Sequence, residues 1–355
     1  MTNTLRVGVV GCGGIFGIAH RPAYLKMEDV HVVALCDIVP EHAHRFLKDF
    51  PGARIYTDYR KMIANEDIDA VDICTPNNLH SPIACAALAA GKHVFSEKPD
   101  SISVAGVQAM QEAAHQSSKT LMVMRNNRFV PASQFARQYI QEGNTGEIYA
   151  AHCAWQRRRG IPGKGGWFTT KARSGGGPLI DLGVHMIDLA LWLMGNPKPV
   201  TVTGCTYSKF AGNRLSDSAN SDFGEAKADG VYDVEDLAMG FVRLDNGACL
   251  TIEFSWASNV EKERRFVELY GTKAGMKWEN EVLTLFEERG GALVNSSPLF
   301  PEQSGVSGHE QNLRHFADVI LHDAEPTFVP QQGVDMVRLL TALYESAVTG
   351  REVCL

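Results

Sequence analysis

The chain has 355 residues, more than one hydrophobic core usually organises, so two domains are expected, each large enough to bury most of its apolar surface. Its 45% apolar and 21% charged residues are those of an ordinary soluble globular protein, and a net charge of −7 with both signs mixed along the chain provides no extended positive field. Nucleic acid is therefore not an expected partner.

Eight cysteines, at 12, 36, 74, 85, 153, 205, 249 and 354, stand singly, without a C-x-x-C pair or zinc-type spacing with histidine. Reduced, mostly buried thiols, no metal site and a cytoplasmic setting are the expectation. The start, MTNTLRVGVVGCGG, lacks a basic leader and a small-residue cleavage site, and no run approaches the roughly 20 apolar residues of a membrane span.

Through residue 124, short β-branched runs (LRVGVV, HVVALC, AVDIC, KHVF, TLMVM) alternate with helical patterns (IAHRPAYLKM, EHAHRFLKDF, PIACAALAA, SVAGVQAMQEAAHQ). That rhythm predicts a doubly wound parallel sheet, and near-continuous apolar strands agree with a sheet covered on both faces. Gly11-Cys12-Gly13-Gly14 follows the first strand and leads through Ile15 into a helix, the context of a phosphate-binding turn. The third glycine of G-x-G-x-x-G is replaced by Phe16, with Gly17 beside it, so the motif alone is weak. Asp37, at the end of the second strand, strengthens it: a carboxylate there accepts from the adenosine ribose hydroxyls and repels a 2′-phosphate. Ile38 follows instead of an arginine, so NAD is preferred to NADP, with Arg45 as the one feature pointing the other way.

The fourth strand ends in Cys74-Thr75-Pro76-Asn77-Asn78-Leu79-His80, beside the crevice where such sheets bind ligands; Thr75, Asn77 and His80 either face the cofactor or serve as turn and cap chemistry. The fifth ends in Glu97-Lys98-Pro99, placing a lysine at the carboxyl edge of the sheet, where it is either catalytic or simply a surface lysine.

After about Asn126 the strands become longer and alternating: EIYAAHCAWQRR, PVTVTGCTYS, DLAMGFVRLDNGACLTIEFSWAS and RFVELYGTKAGMKWE. Turns at Asp245-Asn246-Gly247 and Gly271-Thr272-Lys273 indicate hairpins and a mostly antiparallel sheet. A helix over Pro178–Met194 interrupts it, and two more follow around 309–322 and 333–348. In the first of these, Asp181 and His185 are four residues apart and share a face, as a chemical pair or as a helix-dipole aspartate and a core histidine. Residues 207–233 read as a long polar loop. The predicted fold is α/β: a doubly wound domain over 1–125, and an α/β domain with a large, mostly antiparallel open sheet over 126–355, whose C-terminal helix is free to pack back on the first domain.

Taken together, GCGG, TPNNLH, EKP, NNRFVP at 126–131 and GGGPLIDLGVHMIDLALWLMG at 175–195 resemble the glucose-fructose oxidoreductase and inositol dehydrogenase family, written Gfo/Idh/MocA, over essentially the whole chain. The resemblance implies a Rossmann domain and a catalytic set of Lys98, Asp181 and His185. It implies cofactor contacts from Gly11, Gly13, Gly14, Ile15, Asp37, Thr75, Pro76, Asn77, His80, Glu97, Lys98, Asn126 and Trp167. Many relatives have Trp-Arg where this chain has Trp167-Phe168, and many form dimers or tetramers through the C-terminal sheet. Substrate contacts are expected from Lys98, Arg158, Trp167, Asp181 and His185. Three readings follow: an NAD-dependent sugar, glycoside or inositol dehydrogenase; an enzyme that retains NAD and uses transient oxidation for elimination or glycosidic cleavage; or a non-catalytic NAD sensor, against which the complete set of three argues.

Overall fold

The computed structural model describes residues 4–64, 67–213, 215–216, 218–300 and 306–355. The chain divides into two compact units, Met1–Asn126 with Val306–Val337, and Asn127–Gly305 with Arg338–Leu355. The sequence reading drew its boundary at 125 and left the C-terminal helix free to pack back on the first domain; in the structure 306–337 belongs to the first unit and 338–355 to the second.

In the first unit, β1 (Leu5–Val10), β2 (Val30–Cys36), β3 (Arg54–Tyr56), β4 (Ala70–Ile73), β5 (His93–Ser96) and β6 (Leu121–Val123) form a six-stranded sheet in the order β3-β2-β1-β4-β5-β6. All its pairings are parallel. Successive strand residues are buried because both faces are covered. Val7, Val9, Phe95 and Met122 face one core with Phe16, Tyr24, Leu313 and Phe316; Val10, Val71, Ile73 and Val94 face another with Ile83, Leu88 and Met110. The three-residue strand Arg54–Tyr56 escaped the sequence reading, since it carries too few residues to show a period. Helix Gly308–Leu321 supplies Leu313 and Phe316, which explains why this late segment belongs to the first unit.

The second unit contains β7 (Ile148–Gln156), β8 (Pro199–Tyr207), β9 (Leu237–Leu244), β10 (Cys249–Ser255), β11 (Arg264–Gly271), β12 (Ala274–Glu279), β13 (Val282–Arg289), β14 (Ala292–Ser296) and β15 (Val353–Cys354). Their order is β14-β13-β12-β11-β7-β10-β9-β8-β15, antiparallel except for the β7–β10 pair. Helix Val184–Leu193 lies against β7 and β11. The run Lys171–Leu193 is apolar and long enough to cross a membrane, but 89% of its most apolar window is buried in protein, as in a core helix. All eight cysteines are free thiols.

Candidate active site

Gly11 adopts φ +95°, and a Cβ there would lie 2.6 Å from the Cys74 carbonyl carbon and oxygen, so only glycine fits where the first turn crosses the fourth strand. A Cβ at Gly13 would meet no protein atom, and Gly14 is exposed; the space above the turn is left open, as backbone approach to a pyrophosphate requires. Ile15 packs against the core, and Phe16, which replaces the third glycine, is fully buried edge-on to Phe46 with centroids 5.0 Å apart.

Asp37 accepts from the backbone N–H of Cys12 (2.8 Å) and of Val39 (2.9 Å), which fixes its carboxylate beside the glycine turn. Arg45 donates to the Cys12 carbonyl at 2.6 Å and lies over the Phe46 ring. It is thereby tied to the glycine turn. Thr75 Oγ1, Asn78 Oδ1 and Asn126 Oδ1 are buried without a hydrogen-bond partner among the described residues. Buried polar atoms are costly unless paired, so these three suit a ligand with complementary groups. With the open glycine turn and Asp37, they fit a dinucleotide. Pro76 introduces a short 3-10 turn, Asn77–Leu79, in which Asn77 is buried.

Two residues expected at the cofactor are occupied elsewhere. His80 is buried, with Nδ1 against the Pro99 carbonyl (2.7 Å) and Nε2 against the Thr75 carbonyl (2.9 Å), so it ties the turn after β4 to the turn after β5. Burial pulls its pKa down, against the pull of those carbonyls. Glu97 points into the protein: Oε1 meets His20 Nε2 at 2.9 Å, and Oε2 accepts the backbone N–H of Lys98 at 3.1 Å. Lys98 itself is half-buried between two buried neighbours.

In the second unit, the helix that carries Asp181 and His185 begins with a π-helical turn, Leu179–Gly183, before continuing as α-helix, where the sequence reading gave one helix from 178. From Leu179 to Leu193 every residue is buried except Asp181 and His185. The helix start is anchored by Glu235, which accepts from the N–H groups of Gly177 (2.9 Å) and Leu179 (3.2 Å) and from the Tyr344 hydroxyl (2.8 Å). A Cβ at Gly176 would stand 1.9 Å from that hydroxyl, and one at Gly177 2.0 Å from the Glu235 carbonyl, which explains the glycine run.

Trp256, fully buried, donates its indole N–H to Asp181 Oδ2 at 2.9 Å. Trp155 lies beside His185, ring centroids 5.9 Å apart, and donates to Glu263 at 2.8 Å. Arg158, expected at the substrate, is exposed, whereas Arg157 is buried over the Trp155 ring. Burial draws the Arg157 guanidinium below its ordinary pKa, opposed by the charges of Asp181 and Glu263. Both arginines follow the end of β7, where the chain bends at Arg158 and turns that side chain to solvent. Trp167 is partly buried and stacks on Phe168 at 3.8 Å.

The 207–233 segment, of which 214 and 217 lie outside the described residues, folds over 159–169 of its own chain. Lys164 donates to the Asn213 carbonyl and Thr169 to the Val231 carbonyl, and Gly165 and Gly230 approach so closely that neither tolerates a Cβ. Between them lies a cavity of about 260 Å³ lined by Arg159, Lys164, Asn213, Ser216, Ser221 and Ala257. Gly160 in its wall donates to the Trp256 carbonyl at 2.7 Å.

His20, Trp256, Glu235 and Tyr344 were absent from the sequence reading. His20 sat in a helical pattern with no motif, and its partners Asp72 and Glu97 lie 52 and 77 residues away.

A parallel dinucleotide-binding sheet with an accessible Asp–His pair on a second α/β unit defines an NAD-dependent oxidoreductase. Residues 5–125 match the model for an oxidoreductase family with an NAD-binding Rossmann fold, and residues 133–277 match that for the GFO/IDH/MocA C-terminal domain. The chain is 31% identical to D-glucoside 3-dehydrogenase of Escherichia coli over 99% of this chain and 98% of that one. It is 30% identical to levoglucosan dehydrogenase of Pseudarthrobacter phenanthrenivorans over 85% and 83%. The solved levoglucosan dehydrogenase complex with NADH superposes with a TM-score of 0.86 at 25% identity, covering 99% of both chains. The chain belongs to the Gfo/Idh/MocA oxidoreductase family.

Proposed function

We propose that this enzyme oxidises or reduces a ring hydroxyl of a sugar or glycoside, with Lys98, Asp181 and His185 as its catalytic residues. The observation that carries the assignment is that Asp181 and His185 alone stay partly accessible on an otherwise buried helix. Two ionisable groups left accessible together on an apolar helix mark a functional-site candidate. When bound, NAD supplies the hydride acceptor or donor. His185 takes the hydroxyl proton, since an imidazole both accepts and donates a proton and so serves either direction of the reaction. Lys98 hydrogen-bonds the same oxygen and stabilises its developing negative charge. Asp181, held by Trp256, orients the substrate or the lysine. The names of the relatives, a glucoside dehydrogenase and a levoglucosan dehydrogenase, favour a pyranose ring over an open polyol. Trp155 beside His185, with the cavity lined by Arg159, Lys164, Ser216 and Ser221, supports a polyhydroxylated ligand larger than a single hydroxyl carbon.

The free thiols are compatible with a reducing, cytoplasmic setting. Register places Met239, Phe241, Tyr270 and Phe286 on the face of the nine-stranded sheet away from its helix, and all four are exposed, which supports a homodimer or homotetramer through that face.

The test is NADH formation by the purified protein on glycosides, aldoses, uronic acids and inositols, with NAD and NADP in parallel. Turnover with NAD on a pyranoside is expected. Silence across the panel with NAD still co-purifying would instead indicate the transient-oxidation chemistry. Lys98→Ala should lower kcat by about a hundredfold or more; a loss under about threefold would remove Lys98 from the assignment.

A further inference from the structure

Beneath the lysine turn lies a closed polar cluster that none of the proposed chemistry uses. His20 is fully buried at the end of a π-helical turn, Phe16–His20, that follows the glycine loop. Its Nδ1 meets Asp72 Oδ2 at 2.8 Å and its Nε2 meets Glu97 Oε1 at 2.9 Å. Asp72 also accepts from the Tyr24 hydroxyl at 3.0 Å, and the Cys74 thiol lies 3.4 Å from Nδ1. Asp72 stands on β4 and Glu97 directly follows the neighbouring β5, so one imidazole bridges the carboxyl ends of both. The other Glu97 oxygen receives the Lys98 backbone N–H.

A neutral imidazole has one N–H and one lone pair, and a lone pair set against a carboxylate oxygen at under 3 Å is repulsive. Both ring nitrogens facing carboxylates therefore call for both to donate. We propose that His20 is a doubly donating imidazolium that acts as a positioning residue: it fixes Glu97, and through Glu97 it fixes the peptide from which Lys98 projects. The inference rests on the catalytic assignment of Lys98 made above. The surrounding charges agree. Burial favours the neutral ring, but the Asp72 carboxylate and the Cys74 thiol outweigh it and hold His20 well above its ordinary pKa. Burial likewise opposes ionisation of Glu97, yet its hydrogen bond from His20 and the charges of His20, His309 and Lys98 hold it well below the usual carboxylate range. Tyr24 supplies a hydroxyl and no charge, and burial pushes its pKa up.

His20, Asp72 and Cys74 also bring three potential metal-ligand atoms within 4.8 Å of one another. Coordination through Nδ1 would need its lone pair, and the contact with Asp72 at 2.8 Å assigns a proton there instead.

The experiment pairs a spectroscopic and a kinetic readout. Nitrogen-15 NMR of the histidine-labelled protein is expected to show both His20 nitrogens protonated at pH 8, identified by their loss in His20→Gln. Gln at 20 can engage only one carboxylate. In that variant kcat should fall by about tenfold to a hundredfold, with NAD affinity and sugar KM within about threefold, because the defect lies in alignment of the reacting groups. Glu97→Gln, which restores a hydrogen-bonded bridge to a neutral His20 without the charge, should lose less. A neutral His20 at pH 8, stoichiometric zinc lost on His20→Gln, or kcat unchanged in a folded His20→Gln would each overturn the proposal. In the last case, a Lys98→Ala enzyme that is still inactive shows that the catalytic assignment itself stands. Should His20→Gln not fold, the NMR signature and the Glu97→Gln kinetics remain decisive.

Discussion

Trp256 donates its indole N–H to Asp181 at 2.9 Å from a fully buried position, so the carboxylate on the helix is aimed by a residue 75 positions further along the chain. A hydrogen bond to a charged group contributes about 1.5–3 kcal/mol. Trp256→Phe removes the donor while keeping an aromatic ring, and kcat/KM is expected to fall by roughly tenfold to a hundredfold. In an Asp181→Ala background the same change should have little further effect, since residues acting as a unit are not additive. Equal losses in both backgrounds would show that Trp256 acts by some route other than Asp181.

Asp188 belongs to the same helix but to a different task. It receives the guanidinium of Arg128 at 2.8 and 2.6 Å, with both side chains buried. Asp188→Ala leaves a buried cation without its partner and should cost about 3–5 kcal/mol of stability, read by urea unfolding. A cost below about 1 kcal/mol would mean that water reaches Arg128.

The buried cluster around Glu97 makes stability depend on pH in a signed way. Glu97 ionises well below its ordinary value of 4.5, so its contribution is present above that pH and is lost as pH falls below it. His20 titrates well above its ordinary 6.5, so its contribution is full below that pH and is lost as pH rises toward the raised value. The stability gap between the parent and Glu97→Gln should be full above about pH 4.5 and shrink as pH falls below it, whereas the raised pKa of His20, set by Asp72 and Cys74, persists in the variant. Urea denaturation across pH 3.5–9 checks this, and a gap independent of pH would contradict it.

On the proposed reading, Asp37 favours NAD over NADP. Its carboxylate is held by two backbone N–H groups, and Arg45 is tied to the Cys12 carbonyl. Asp37→Ser should lower the ratio of kcat/KM for NAD over NADP by about tenfold or more, by removing a charge that repels a 2′-phosphate. An unchanged ratio would transfer the discrimination to another residue.

Local signals made much of this molecule legible in its sequence. Strand periodicity and punctuation located five of the six parallel strands, because a buried parallel strand is continuously apolar wherever its partners lie. The glycine turn, Asp37 and the Asp181–His185 spacing were visible because each motif spans a few residues. Distant contacts were beyond its reach. Arg157 and Arg158 differ only in how the chain bends after β7, and His80 and Glu97 carried the cofactor motif while their side chains turned to protein partners. His20 had no motif at all: its role exists because β4 and β5 are neighbours and bring Asp72 and Glu97 to one imidazole. Sequence by itself determined the elements and the residue types available for chemistry. The tertiary structure decided which of them hold one another in place, since hydrogen bonds and burial depend on separations in space that local periodicity does not encode.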